Sequence, residues 1–165
     1  MLLGGAGMIR AGKNDFDNSG HVHLRHNYDL NKWLTWEAFA QGQYNRVLMI
    51  DHRELFGTGP RFQLVNSGQS KLYTAALYMF ENEALTEDLG TRTNHRLSSY
   101  VAFNWKLNDH IAMNNIMYFQ PVISDFANHR IMIQSGLKIK ISKILGFSVN
   151  FSLLNDSNPP PGIRN

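Results

Sequence analysis

Along most of this chain, apolar and polar residues trade places at every second position. The clearest case is "HRIMIQSGLKIKISKILGFSVNFSLL", residues 129–154. Ile131, Ile133, Leu137, Ile139 and Ile141 fall on one side of it, and Arg130, Gln134, Lys138 and Lys140 on the other. After "SKILG", which reads as a short turn, the pattern resumes with Phe147, Val149, Phe151 and Leu153 set against Ser148, Asn150 and Ser152. A period of two means extended backbone, because successive side chains of a strand point to opposite faces, whereas a helix needs a period of 3.6. Each such strand has one apolar and one polar face.

The same alternation runs through "GHVHLRHNY", "WLTWEAFAQGQY", "RELFGTGPRFQLV", "KLYTAALYMFENE" and "HRLSSYVAFNWKL". It is weakest in "IAMNNIMYFQPV", where Asn115 interrupts the apolar face. Turn clusters separate these runs: "DLNKW", a turn near "NRVLM", "NSGQS", "NDH", "SDFAN" and the longest polar connection, "ALTEDLGTRTN". This gives eight strands, or nine if "LLGGAGMIR" is one, and no helix of ten residues. Sequential hairpins of this kind make an all-β, antiparallel up-and-down meander, hence a barrel or a sandwich, in a single domain over residues 1–165.

Alternation alone does not say which face meets water. In a soluble lipocalin-like barrel the apolar face points inward and can hold an apolar ligand. In a transmembrane barrel it points out to lipid and the polar face lines the lumen. No run approaches the ~20 apolar residues of a spanning helix, which leaves a barrel open, since only alternate strand residues need be apolar. Three features favour the membrane barrel. Many strands reach the ~9–11 residues a tilted strand needs to cross a bilayer. The aromatics Tyr28, Trp33, Trp36, Tyr44, Phe80, Trp105, Phe119 and Phe147 gather near strand ends, where interfacial girdles lie. The polar faces are rich in Asn, Gln, Ser and Gly.

Composition removes several function classes. There is no cysteine, so disulfides, thiolate metal sites and cysteine nucleophiles are excluded. The net charge of +3 comes without a dense Lys/Arg run, so nothing points to nucleic acid. His21 and His23 share a strand face with His26 nearby, but no carboxylate accompanies them on that face, and they read as polar residues rather than metal ligands. Asp51, His52, Arg53 and Glu54 have acid–base character but lack a GxSxG nucleophile, and read as a turn or rim. "GTGPR" lacks the GK[ST] ending of a phosphate loop; Gly57 and Gly59 read as strand bending, and Pro60 as a bulge or strand edge. No catalytic residue, cofactor or metal ligand is assigned.

Several stretches, "LRHNYDLNKWLTWEAFAQGQYN", "GTGPRFQL", "LYMFENE", "HRLSSYVAFNWKLND", "MYFQPVISDFANHRI" and "NDSNPPPGI", carry a likeness over about residues 24–163. On these the chain resembles the outer-membrane β-barrel family of unknown function that includes the salt-induced outer-membrane proteins. The "QP…DF…R" and "DSNPPPGI" elements are the most specific. The resemblance implies a bacterial outer-membrane barrel embedded in the lipid bilayer, delivered by a signal peptide and assembled by the outer-membrane insertion machinery, with no enzymatic activity. No signal peptide precedes the first strand, and no closing aromatic strand follows the prolines, so the chain reads as a fragment.

On this reading Arg25, Glu37, Arg53, Arg61, Glu81, Arg96, Lys106, Arg130, Gln134, Lys138 and Lys140 face the lumen. Leu97, Val101, Phe103, Trp105, Ile131, Ile133, Leu137, Ile139, Phe147, Val149 and Phe151 face lipid. The excess of lumenal bases allows two outcomes. Rings of Arg and Lys can make a narrow, porin-like channel that favours anions. Alternatively, Arg and Glu pair across a small barrel and plug it.

Overall fold

The computed structural model describes residues 2–11, 14–46, 49–85, 90–142 and 144–159, with side chains from residue 19 onward. Nine strands form one antiparallel sheet: β1 (Leu2–Ala11), β2 (Asn14–Asp29), β3 (Leu34–Asn45), β4 (Ile50–Asn66), β5 (Ser70–Leu85), β6 (Thr91–Lys106), β7 (Ile111–Val122), β8 (Asp125–Lys140) and β9 (Gly146–Asp156). Each strand pairs with the next in sequence, so the order is β1 to β9 without a crossover. This is the all-β meander that the period of two implies, and "LLGGAGMIR" does form a strand. Among the described residues no ladder joins β9 back to β1, and the sheet is an open, strongly curled half-barrel.

The curl can be read from side chains. The Tyr100 hydroxyl on β6 donates to Glu37 on β3 at 2.8 Å, and Arg130 on β8 binds Glu81 on β5. Each pair is three strands apart, which in a flat sheet means roughly 14 Å. Only a concave face brings such pairs into contact.

The turns gather at two rims. Asp29 and Leu34, Asn66 and Ser70, Lys106 and Ile111, and Lys140 and Gly146 end their strands at the first rim, and Asn45 and Ile50, Leu85 and Thr91, and Val122 and Asp125 at the second. Asn side chains build two of the first-rim turns: Asn31 Oδ1 accepts from the backbone N–H groups of Trp33 and Leu34, and Asn108 Oδ1 from those of His110 and Ile111. "SKILG" is a turn closed by the N–H groups of Ile141 and Ser142 onto Leu145 O. At the second rim Met49 takes a positive φ of 55° where "NRVLM" turns.

Pro60 departs from expectation. It sits neither at an edge nor at a bulge but in the middle of β4, a central strand, paired in register with Trp36. The ladder to β5 passes from Thr58↔Tyr78 to Arg61↔Ala75 without a shift. Pro60 lacks the N–H a full ladder uses, and the strands close up here instead. A Cβ on Gly59 would lie 2.5 Å from Ala76 O and 2.7 Å from Leu77 Cα, so only glycine fits. Gly57 is roofed by a side chain instead, the Phe39 ring.

The concave face is not uniformly polar. Ala75, Leu77 and Tyr100 are buried there, with Phe39, Ala102, Ile116 and Tyr118 packed against them. Leu77 and Met79 share their strand face with Glu81 and Glu83, which gives β5 apolar residues on both faces.

Candidate functional site

Charge is concentrated in the interior toward the second rim. Glu81 is fully buried, at 0 % exposure. Three guanidinium groups converge on it: Arg96 Nε donates to Oε2 at 2.6 Å, Arg53 Nε to Oε1 at 2.8 Å, and Arg130 Nη1 also binds Oε1. Strand register explains how these side chains share a face. Arg53 pairs with Glu83, Met79 with Arg96, and Arg130 with both Gln120 and Asp156. β4 and β6 flank β5 in the sheet, and curling draws β8 toward it.

The network continues beyond Glu81. Glu83 Oε2 takes Arg130 Nη2 at 3.2 Å and Arg53 Nε at 3.4 Å, and Asp156 Oδ2 takes Arg130 Nε at 2.5 Å. Arg96 also donates to Gln120 O at 2.9 Å, and Asn94 to Glu81 Oε2 at 3.2 Å. Three arginines thus meet three carboxylates. Buried charges require such pairing, because an unpaired one costs several kcal/mol.

A second group lies nearer mid-strand. Glu37 accepts from Arg61 Nη1 at 2.9 Å and from the Tyr100 hydroxyl, with Arg25 Nη1 3.9 Å away. Arg25 also reaches the Tyr118 hydroxyl from across the interior. Arg61 Nη2 donates to Thr35 Oγ1, whose hydroxyl donates to Asp29 at 2.6 Å, and its guanidinium lies over the Tyr73 ring. Between the two groups is a cavity of about 400 Å³, whose lining includes Leu55, Leu77, Met79, Met132, Tyr100 and Glu83. Among the described residues Glu83 Oε1 is buried without a hydrogen-bond partner.

The residues assigned to the polar face therefore divide. Arg25, Glu37, Arg53, Arg61, Glu81, Arg96 and Arg130 join the interior networks. Gln134, Lys138 and Lys140 share the Arg130 face of β8 but are exposed toward the first rim, as is Lys106, whose ammonium binds Asp109 at 2.8 Å. Glu83, Asp156, Tyr100 and Tyr118 were not singled out by sequence. The Glu-x-Glu spacing of Glu81 and Glu83, which puts both on one strand face, was the available signal.

The apolar set occupies the convex face. Val101 is 47 % exposed, Phe151 55 % and Phe147 57 %, and Trp105 and Val149 are also exposed. Leu97, Phe103, Ile131, Ile133, Leu137 and Ile139 are half-buried among convex neighbours. From Leu72 to Tyr78, Leu97 to Trp105, Ile111 to Phe119, Ile131 to Ile139 and Phe147 to Leu153, the convex positions carry no Asp, Glu, Lys or Arg. Trp33, Trp36 and Trp105, all the tryptophans of the chain, lie at the first rim, where Trp33 stacks on Phe62. Tyr78, Phe80, Phe119 and Phe126 lie toward the second, with Tyr78 bonded to His95.

The other sequence features fall apart as sites. His23 bonds Gln41 at 3.0 Å and stacks on Phe39, and among the described residues no three His, Asp or Glu side chains gather as a metal site. His52 pairs with Glu54 at 3.0 Å on one face of β4 while Arg53 enters the interior from the other, so that quartet is split by the sheet. Of "NDSNPPPG", Ser157 and Asn158 fold back onto His129 and Arg92, and residues 160–162 lie outside the described residues.

Residues 10–165 match the family described as "Protein of unknown function, DUF481", and the chain belongs to that family. No curated protein matches it, and no solved structure does.

Proposed function

We propose that this protein is an integral β-barrel of the bacterial outer membrane, non-enzymatic, with an interior closed by ion pairs rather than an open pore. The observation that carries the reading is the convex face. A soluble protein rarely exposes a contiguous apolar patch beyond a few hundred Å², and here an uncharged apolar surface continues across β5 to β9 with aromatics at both rims. Lipid is the solvent that suits such a surface, and interfacial aromatics suit its borders. Strands of 10–17 residues are long enough to cross a bilayer at a tilt. The outer-membrane insertion machinery is the partner this reading requires during biogenesis.

Fractionation tests it. Expressed behind an export leader, the protein should stay in the membrane pellet, leave it only with detergent, and migrate differently on gels before and after boiling. Recovery in a soluble fraction without detergent would contradict the reading. The interior networks further support a closed lumen, so planar-bilayer recordings should show no steady unitary conductance. A regular, anion-selective conductance would restore the channel.

A second reading rests on the cavity. Its apolar wall and the unpartnered Glu83 oxygen suit a small amphiphile bearing a hydrogen-bond donor, which makes the barrel a ligand carrier. Saturable enhancement of an amphiphilic amine dye, abolished by Glu83→Gln, supports it; unchanged dye emission removes it.

A further inference from the structure

We propose that Lys106, Lys138 and Lys140 form a phosphate-binding site at the mouth of the first rim, separate from the interior networks. Strand register places them. Lys106 pairs with Ala112 on β7, and Ala112 with Lys138 on β8, so two lysines flank one alanine in a transverse row. Two strand spacings set their Cα atoms roughly 10 Å apart, with only a methyl group between. Lys140 follows two residues along the same face, opposite Gly146, which adds no side chain. In the adjacent row Asn104 pairs with Asn114. The three lysines and these two amides line a groove of about 630 Å³.

The charge there is unbalanced. Asp109 is the carboxylate of the groove, and it is committed to Lys106. That hydrogen bond holds the Asp109 carboxyl below its usual range, so it stays ionised. Among the described residues Lys138 and Lys140 have no carboxylate within ion-pair distance. The His110 ring faces the Lys140 carbonyl, not its ammonium. The interior arginines each have a carboxylate; these lysines are left with donors to spare, beside amides that also donate. A cluster of ammonium and amide donors whose one nearby carboxylate among the described residues is already committed suits an anion with several oxygens, and phosphate is the common one. The phosphate can belong to a lipid head group or to a free phosphate ester. The site does not depend on whether the convex face meets lipid.

Full-length protein in phosphatidylcholine nanodiscs, titrated calorimetrically with inorganic pyrophosphate, tests the free ester. Native mass spectrometry of phosphatidylglycerol retained from mixed nanodiscs tests the head group. The Lys138→Gln/Lys140→Gln variant should weaken whichever is bound by about tenfold or more, because two charge-assisted contacts are lost. Arg46→Gln, at an exposed base on the opposite rim and outside the groove, should change nothing. Circular dichroism checks that each variant keeps its strand content. Saturable pyrophosphate binding lost in the double variant assigns a free phosphate ester. Selective phosphatidylglycerol retention lost in that variant assigns a head group. Absence of both, or equal binding by the double variant, overturns the site.

Discussion

The two ends of the interior are built from the same raw material and do opposite things with it. Toward the second rim, Arg53, Arg96 and Arg130 enclose Glu81, Glu83 and Asp156 in a buried, charge-matched network. At the first rim, Lys106, Lys138 and Lys140 stand in the open, with Asp109 as the one carboxylate beside them among the described residues. In sequence the three arginines and three lysines alike are polar-face bases on the alternating strands β4, β6 and β8. Position along the strand, and what the curl brings opposite, decides whether such a base is structural or free to bind. Arginine is used where several acceptors must be met at once, because its planar fork offers five donors; lysine is used where a mobile point charge suffices.

Breaking the matched end should have the largest effect. Glu81→Ala leaves three buried guanidinium groups short of an acceptor and should cost about 3–5 kcal/mol, seen as a lower unfolding midpoint in detergent. An unchanged midpoint would show that the network is not structural. Tyr100→Phe removes one donor from Glu37 and should cost about 1.5–3 kcal/mol in the same assay. Gly59→Ala probes the close approach beside Pro60, where the added methyl meets backbone rather than a movable side chain; about 1–3 kcal/mol is expected. Lys138→Gln/Lys140→Gln, at the open end, should change stability by no more than ~0.5 kcal/mol. A larger loss there would mean that the two ends are not different in kind.

The strands, and the way their residues divide between two faces, were legible in sequence because a period of two leaves little choice. Ile131 to Ile139 against Arg130 to Lys140 is the plainest case, and the structure keeps that division. The partners across the interior were not legible. Nothing in the order of residues tells that Arg130 reaches Glu81, 49 positions earlier in the chain, because that contact depends on sheet curvature. Leu77 and Met79 were missed for a related reason: β5 is apolar on both faces, so alternation of hydrophobicity fades where the interior itself is packed. Pro60 was misplaced because its missing N–H argues for an edge, while the neighbouring Gly59 lets the strands close around it.

Because the chain has no cysteine, the surroundings of its convex face can be measured directly with single introduced thiols. Ile133 and Gln134 are neighbours on β8 with opposite facings. A polarity-sensitive dye on Ile133→Cys, with the protein reconstituted in vesicles, should be quenched by a lipid-chain nitroxide and not by aqueous iodide. The same dye on Gln134→Cys should respond the other way round. Quenching of both positions by iodide, with neither sensing the lipid-chain nitroxide, would contradict a lipid-facing exterior.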